Sequence, residues 1–323
     1  KEVPDFSEIN GQQFVKRACE IAVSGRHNLL MIGPPGAGKT MIARRIPGIL
    51  PEMTEEEALE VTKIYSVRGL LTESEAWMAE RPFRNPHHTI TPQGLAGGGM
   101  VPGPGEISLA HHGVLFLDEL AEFRRETLEI LRQPMEEHCV KLARLAGNYE
   151  FPSDFMLVAA MNPCRCGYYP DLNRCHCTKG MVEQYLKKIS QPLLDRIDIC
   201  VETKRVEYQD LIKENPHQET SAEIRKRVVA AMERQQQRFA GTNIRYNSRI
   251  PAALLTKYCR LSTKQKQYME NIYQKLELTA RSYHRILRVA RTIADMDGSD
   301  EILTRHLSEA VCYRNVDKKF WEG

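Results

Sequence analysis

No run of 18 consecutive apolar residues occurs in this 323-residue chain, so the sequence offers no membrane-spanning helix. The basic, then apolar, then small-residue pattern of a secretory leader is missing too. An excess of charge of one sign is also lacking: 45 Lys and Arg stand against 42 Asp and Glu, a net charge of +3. That balance is too small to imply a nucleic-acid partner by itself, and any such claim must rest on local clusters. The first residue is not methionine; the opening Lys1-Glu2-Val3 reads as the start of a piece of something longer. An even set of cysteines is absent as well. Of nine, Cys19, Cys139, Cys200, Cys259 and Cys312 are scattered, while Cys164, Cys166, Cys175 and Cys177 cluster. An odd count with one tight cluster argues against a disulfide framework and for a reducing, cytoplasmic setting.

What is present begins at residue 33. Gly33-Pro34-Pro35-Gly36-Ala37-Gly38-Lys39-Thr40 matches the phosphate-binding loop G-x-x-x-x-G-K-[ST] in full. Its glycines let backbone N–H groups turn inward around phosphate oxygens. Lys39 can reach the β- and γ-phosphates of ATP, and the Thr40 hydroxyl can hold Mg²⁺. The apolar run Asn28–Ile32 before it suits a buried parallel strand. Met41 to Ile46 can continue as a helix whose N-terminus faces the anion.

The first half alternates apolar runs with helical stretches, which predicts an α/β fold with a parallel sheet and crossover helices. Strands are expected at 28–32, 113–117, 155–160 and 197–202, each followed by polar residues at its C-terminal end, where open α/β sheets bind ligands. After about residue 205 few strands are evident, and helical spacing appears over 221–239, 264–275, 279–295 and 303–313. We therefore expect an α/β core over 1–206 and a smaller helical domain over 207–323.

Three further signals accompany the loop. Val114-Leu115-Phe116-Leu117 ends in Asp118-Glu119; Asp118 can join Thr40 in holding Mg²⁺, and Glu119 can polarise an attacking water. Phe155–Met161 ends in Asn162, which could orient water or contact the γ-phosphate, or be an ordinary turn residue. Arg196, in Leu193-Leu194-Asp195-Arg196-Ile197-Asp198, could be supplied to a neighbouring subunit's nucleotide, or form a surface salt bridge with Asp195 or Asp198.

In this order, the signals resemble an AAA+ ATPase, and the resemblance covers essentially the whole chain. Ile9-x-Gly11-Gln12 resembles the segment before the first strand of that superfamily. The resemblance implies a phosphate-loop αβα core followed by a helical lid. It assigns the loop residues Gly33 to Met41 and Asp118 to nucleotide and Mg²⁺, Asn162 to sensor 1 and Arg196 to the arginine finger. Arg281, in Thr279-Ala280-Arg281-Ser282-Tyr283-His284-Arg285, matches the sensor 2 arginine that reaches back onto the nucleotide; Arg285 lies one turn along the same face.

The inserts narrow the branch. Pro82-Phe83-Arg84-Asn85-Pro86-His87-His88 and the unbroken run Pro104 to Leu120 look like the signatures PFRxPHH and PGEISLAHxGVLFLDEL of the magnesium-chelatase-like branch. Six glycines from 94 to 105 predict a loop with unusual backbone angles. The pairs His87-His88 and His111-His112 read as polar support for this insert, because adjacent side chains diverge on a strand or helix. Residues Cys139 to Phe151 resemble the pre-sensor 1 β-hairpin, with Ala146-Gly147-Asn148 as its turn. Lys141 and Arg144 on this hairpin could contact DNA phosphates in a pore; the alternative is a solvated hairpin.

Asn162-Pro163-Cys164-Arg165-Cys166 and Cys175-His176-Cys177 give the spacing C-x-C-x₈-C-x-C. Four thiolates could bind Zn²⁺ tetrahedrally, with Arg165, Arg174 and Lys179 offsetting charge. His176 is a substitute ligand, and free structural or redox-sensitive thiols are the alternative. This box is similar to that of the YifB/ComM family, where it follows Asn-Pro-Cys; the family's Cys-Pro-Cys is here Cys164-Arg165-Cys166. Members carry an additional N-terminal domain resembling that of Lon-type proteases. The resemblance implies a cytoplasmic, ring-forming motor, by expectation a homohexamer, that hydrolyses ATP to move on single- or double-stranded, branched DNA and promotes branch migration in homologous recombination. The rivals are a chelatase-type motor and a MoxR-type ATPase, both acting on proteins.

Overall fold

The structure is a computed structural model that describes residues 3–72, 76–144, 147–206, 208 and 218–321. Five strands form a parallel sheet: β1 (Leu29–Ile32), β2 (Phe83–Arg84), β5 (Val114–Leu117), β8 (Met156–Met161) and β9 (Ile199–Glu202), in the order β2-β5-β8-β1-β9. Every residue of β1, β5 and β8 is buried. Strands covered on both faces read as continuous apolar runs rather than alternating ones, which is why all four predicted strands fall within two residues of the observed ones. The fifth, β2, is two residues long and half-buried, too short to leave a pattern.

Alternate residues feed two cores. Leu29, Met31, Val114, Phe116, Val158 and Val201 face one side, where helix α1 (Gln13–Gly25) packs. Leu30, Ile32, Leu115, Leu117, Leu157 and Cys200 face the other, under short helices and loops carrying Leu95, Ile107, Phe123, Leu131 and Leu186. Short helices follow β1 and precede β9: α2 (Lys39–Ala43) directly after the phosphate loop, and α9 (Gln191–Leu194), with α3 (Glu55–Val67), α4 (Pro92–Ala96), α5 (Glu106–Leu109), α6 (Arg125–Glu129), α7 (Arg132–Glu137) and α8 (Lys179–Leu186) between.

The helical region comprises α10 (Ser221–Arg238), α11 (Leu255–Tyr258), α12 (Thr263–Lys275), α13 (Ala280–Met296) and α14 (Thr304–Trp321). Helices α10 and α12 open with reciprocal capping boxes, Thr220 with Glu223 and Ser262 with Gln265, each satisfying two otherwise orphaned donors. Ile224 and Val228 of α10 and Ile286, Ala290 and Ile293 of α13 join Val15, Ala18 and Ala22 of α1 in one apolar cluster. Helix α1 lies against the sheet, and α10 and α13 pack over α1. Among the described residues no helix is long and apolar enough to cross a membrane.

Candidate nucleotide site

The phosphate loop leaves β1 at Ile32 and is held beside β8 by the Gly33 amide donating to the Met161 carbonyl at 3.1 Å. Gly36 and Gly38 have φ of 77° and 80°, left-handed angles that glycine adopts without a Cβ penalty. The Gln12 side chain donates to the Ala37 carbonyl at 3.2 Å, so the Gly11-Gln12 segment braces the loop. Lys39 is buried, and its ammonium donates to the carbonyls of Gly33 (2.7 Å) and Pro34 (2.8 Å) and to Asn162 Oδ1 (3.1 Å). Burial pushes its pKa down to about 8, against a smaller upward pull from Asp118. Thr40 Oγ1 donates to Asp118 Oδ2 at 2.6 Å. A hydroxyl and a carboxylate in contact, two oxygen donors beside the phosphate loop, suit Mg²⁺, a hard cation that takes oxygen ligands and substrate phosphates. Met41, the next residue, is half exposed.

Glu119 follows Asp118 with φ of 51°, and the Glu119 amide donates to Asp118 Oδ1 at 2.9 Å. This left-handed turn sends the Glu119 side chain outward, 63% exposed, where its Oε2 stands 3.3 Å from His88 Nδ1. His88 follows the edge strand β2, so the Pro-His-His motif reaches the Glu119 carboxylate. Sequence reasoning assigned His88 only to support of the insert, because nothing local shows that β2 pairs with β5. Lys39, Thr40, Asp118, Glu119 and Asn162 therefore converge at the C-terminal end of the sheet, as the motif order predicts.

The two arginines do not join them. Strand β9 runs parallel to β1, with Ile199 opposite Leu29 and Glu202 opposite Ile32. Arg196, three residues before β9, thus lies at the N-terminal edge, a strand length of roughly 13 Å from the loop end. Its guanidinium donates to the Pro192 carbonyl at 2.6 Å and pairs with Glu136, rather than with Asp195 or Asp198. Asn28 fixes this corner: Nδ2 donates to the Arg196 carbonyl at 3.0 Å, and Oδ1 accepts from the Leu157 amide at 2.9 Å.

Arg281 is 66% exposed and stands 3.6 Å from Asp195, beside Arg196 and away from this chain's own phosphate loop. The cause is the seating of α13: Arg285, buried, donates to the carbonyls of Leu194 and Ile197 just before β9. The helix is thereby anchored at the N-terminal edge. Arg196, Arg281, Arg288, His138, Asp154 and Asp198 line a cavity of about 860 Å³ there. Its walls come from separate segments with no common motif, so the sequence could not reveal it.

Residues 5–211 match the profile of magnesium chelatase, subunit ChlI, and residues 218–314 that of its C-terminal part. The chain belongs to the magnesium chelatase ChlI family. It is 45% identical over 97% of its length to the uncharacterized protein YifB of Escherichia coli, and 43% identical over 97% to the competence protein ComM of Haemophilus influenzae. It covers 61% and 60% of those two proteins, and so spans about three-fifths of the curated relatives it matches. The 67 kDa magnesium-chelatase subunit of Chlorobaculum parvum is 27% identical over 49% of this chain and 23% of that protein. An AAA+ core followed by a helical C-terminal region is thus the fold of this ChlI-family chain, and the family implies ATP and Mg²⁺.

The inserts of this ChlI-family chain were only partly foreseen. Gly97, Gly98 and Gly99 carry φ of 106°, 145° and 111° in a small hairpin of β3 (Gly97–Gly98) and β4 (Gly103–Pro104), whose tip exposes Met100 and Val101 fully. The adjacent histidines converge rather than diverge. His111 and His112 both place Nε2 against Glu60 Oε2, at 2.9 and 2.7 Å, because His112 adopts φ of 56° and turns the chain back. The Asp154 amide donates to His111 Nδ1 at 2.9 Å, which leaves Nε2 the protonated nitrogen and a donor to Glu60, not a metal ligand. Burial pushes the His111 pKa down to about 4, so the ring is neutral support.

The expected hairpin forms as β6 (Cys139–Arg144) and β7 (Gly147–Pro152). Gly147 and Asn148, expected in the turn, belong to β7 and pair with Arg144 and Ala143; Leu145, Ala146 and the Arg144 side chain lie outside the described residues. Lys141 is exposed but bonds Glu137 at 2.7 Å and faces Glu150 across the strands. The four clustered cysteines place all their sulfurs within 4.8 Å of one another, while His176 is exposed and outside the group.

Proposed function

We propose that this chain is the ATP-hydrolysing part of a ring motor, a cytoplasmic homohexamer that translocates on DNA and promotes branch migration. The observation that carries this reading is the split of the catalytic set. Lys39, Thr40, Asp118, Glu119 and Asn162 occupy one end of the sheet, and Arg196 and Arg281 the other. A second copy that docks its N-terminal edge on this copy's phosphate loop completes the site, and repetition of that heterologous contact closes a ring. Residues 1–206 serve as nucleotide-binding core and 207–323 as the helical domain that carries Arg281 to the neighbour.

In the cycle, Gly33 to Met41 cradle the phosphates. Lys39 trades its neutral acceptors for phosphate oxygens, and Thr40 and Asp118 would hold Mg²⁺, which would supply positive charge against the phosphates. Glu119, released from His88, takes the proton of the attacking water, and Asn162 orients that water. The neighbour's Arg196 and Arg281 stabilise the charge developing on the γ-phosphoryl group. Hydrolysis changes the contact between copies, and the Gly-rich hairpin and the Lys141/Arg144 hairpin move the DNA.

A protein-remodelling motor of chelatase or MoxR type is the second reading, because the Lys141 ammonium is already neutralised by Glu137. Steady-state hydrolysis at low salt, with and without branched DNA, separates the two. Stimulation by DNA that disappears in a Lys141→Ala/Arg144→Ala variant supports the DNA motor. Hydrolysis indifferent to DNA supports a protein substrate.

A further inference from the structure

Residues 162–178, between β8 and α8, form no helix or strand. The described backbone bonds inside this stretch are local: Gly167 to Cys164 at 3.0 Å, Asp171 to Tyr168 at 2.8 Å, and Arg174 and Cys175 to Asp171 at 3.1 and 2.7 Å. Its cysteine side packs on the core, with Cys164 fully buried and Cys166, Tyr169, Cys175 and Cys177 against the same cluster, while its tip is open and Leu172 is 82% exposed. Its turns nevertheless bring two pairs of cysteines from opposite ends of the loop to one point. Cys164 Sγ lies 3.4 Å from Cys166 Sγ and 3.8 Å from Cys175 Sγ, and Cys166 Sγ lies 3.6 Å from Cys175 Sγ. Cys177 completes the group within 4.8 Å.

These spacings discriminate among chemistries. A disulfide needs sulfurs about 2.05 Å apart. Four sulfurs around a tetrahedral ion with bonds of about 2.3 Å stand about 3.8 Å apart. The observed edges cluster near the second value. The amides of Gly167 and Tyr169 donate to Cys164 Sγ at 3.2 and 3.4 Å, the kind of outer contact that compensates charge on a metal-bound thiolate.

We propose that Cys164, Cys166, Cys175 and Cys177 bind one zinc(II) ion per chain as four thiolates, and that the metal-bound loop buttresses the phosphate loop. Four S–H bonds give their protons to solvent, four Zn–S bonds form, and nothing is oxidised. A closed set of four thiolates leaves no position for water, so the metal is structural. The link to nucleotide is steric. Gly167, with φ of 90°, packs so tightly that a Cβ there would stand 2.6 Å from Pro35 Cδ and 3.8 Å from Asn162 Cγ. Cys164 also follows Asn162 by two residues in the chain. Where the loop is fixed by metal, Pro35 and Asn162 are fixed with it.

The test uses the protein purified without added metal. Elemental analysis should find one zinc per chain, released when an organomercurial titrates the thiols. A Cys175→Ser/Cys177→Ser variant should lose the zinc and bind ATP about tenfold more weakly, while Cys312→Ser, an exposed thiol elsewhere, keeps both. Should the double variant fail to fold, cobalt(II) exchange into the wild-type chain gives the second readout: the intense visible bands of a tetrahedral tetrathiolate are expected. Wild-type protein with neither stoichiometric zinc nor those cobalt bands overturns the site, and stoichiometric iron overturns the choice of metal. A folded, zinc-free variant with unchanged ATP affinity overturns the buttress. None of these readouts depends on DNA or on assembly.

Discussion

The Lys39 ammonium makes nucleotide affinity a function of pH. Burial holds its pKa at about 8, and its protons go to the Gly33 and Pro34 carbonyls and Asn162 Oδ1, none of them charged. Bound phosphates replace these acceptors with negative oxygens, which raises the pKa of the complex. Binding therefore takes up a proton above pH 8: affinity is full below that pH and falls as pH rises through it. The slope approaches tenfold per unit, about 1.4 kcal/mol. Between pH 7.5 and 9.5 the Kd for MgATP should rise about 25-fold, provided the complex keeps its proton. Titration with a fluorescent ATP analogue at saturating Mg²⁺ measures this directly. Lys39→Arg, charged throughout that range, should lose the slope whatever its absolute affinity. A wild-type Kd constant to within about twofold over the same range would refute the reasoning, since one pKa shift of this size implies more.

Other consequences are as direct. Glu119→Gln removes the carboxylate proposed to accept the water proton; ATP binding should persist while turnover falls by about 100-fold or more, and normal turnover in a single-site assay would exclude Glu119 from the role. Asn28→Ala leaves the buried Leu157 amide without its acceptor, costing about 1–3 kcal/mol, visible as a lower thermal midpoint; because Asn28 also holds the Arg196 carbonyl, hydrolysis should fall further than ATP affinity does. If DNA phosphates meet the hairpin, DNA affinity falls linearly on a log-log salt plot, and Lys141→Ala lowers the slope by about one.

Much of the core was legible because its strands are buried on both faces and so carry unbroken apolar runs. Three of these runs lead directly into the phosphate-loop motif, Asp118-Glu119 and Asn162. What was not legible depends on pairing between distant segments. Strand β2 has two residues, so the meeting of His88 with Glu119 cannot be read locally. The convergence of His111 and His112 turns on one left-handed residue. The side on which Arg281 emerges depends on where α13 docks, which is decided by Arg285 bonding carbonyls of the core nearly a hundred positions earlier in the chain. A helical period gives the face of a helix but not its partner.

The central claim is that one nucleotide site takes residues from two copies of the chain. Mixing the separately inactive Arg196→Ala and Glu119→Gln proteins tests it. In an equal, random assembly about one site in four pairs an intact Glu119 with a neighbour's intact Arg196, so hydrolysis should recover to about a quarter of the wild-type rate per chain. A mixture as inactive as its two components, with assembly verified, would contradict the account and place Arg196 in a structural role beside Glu136.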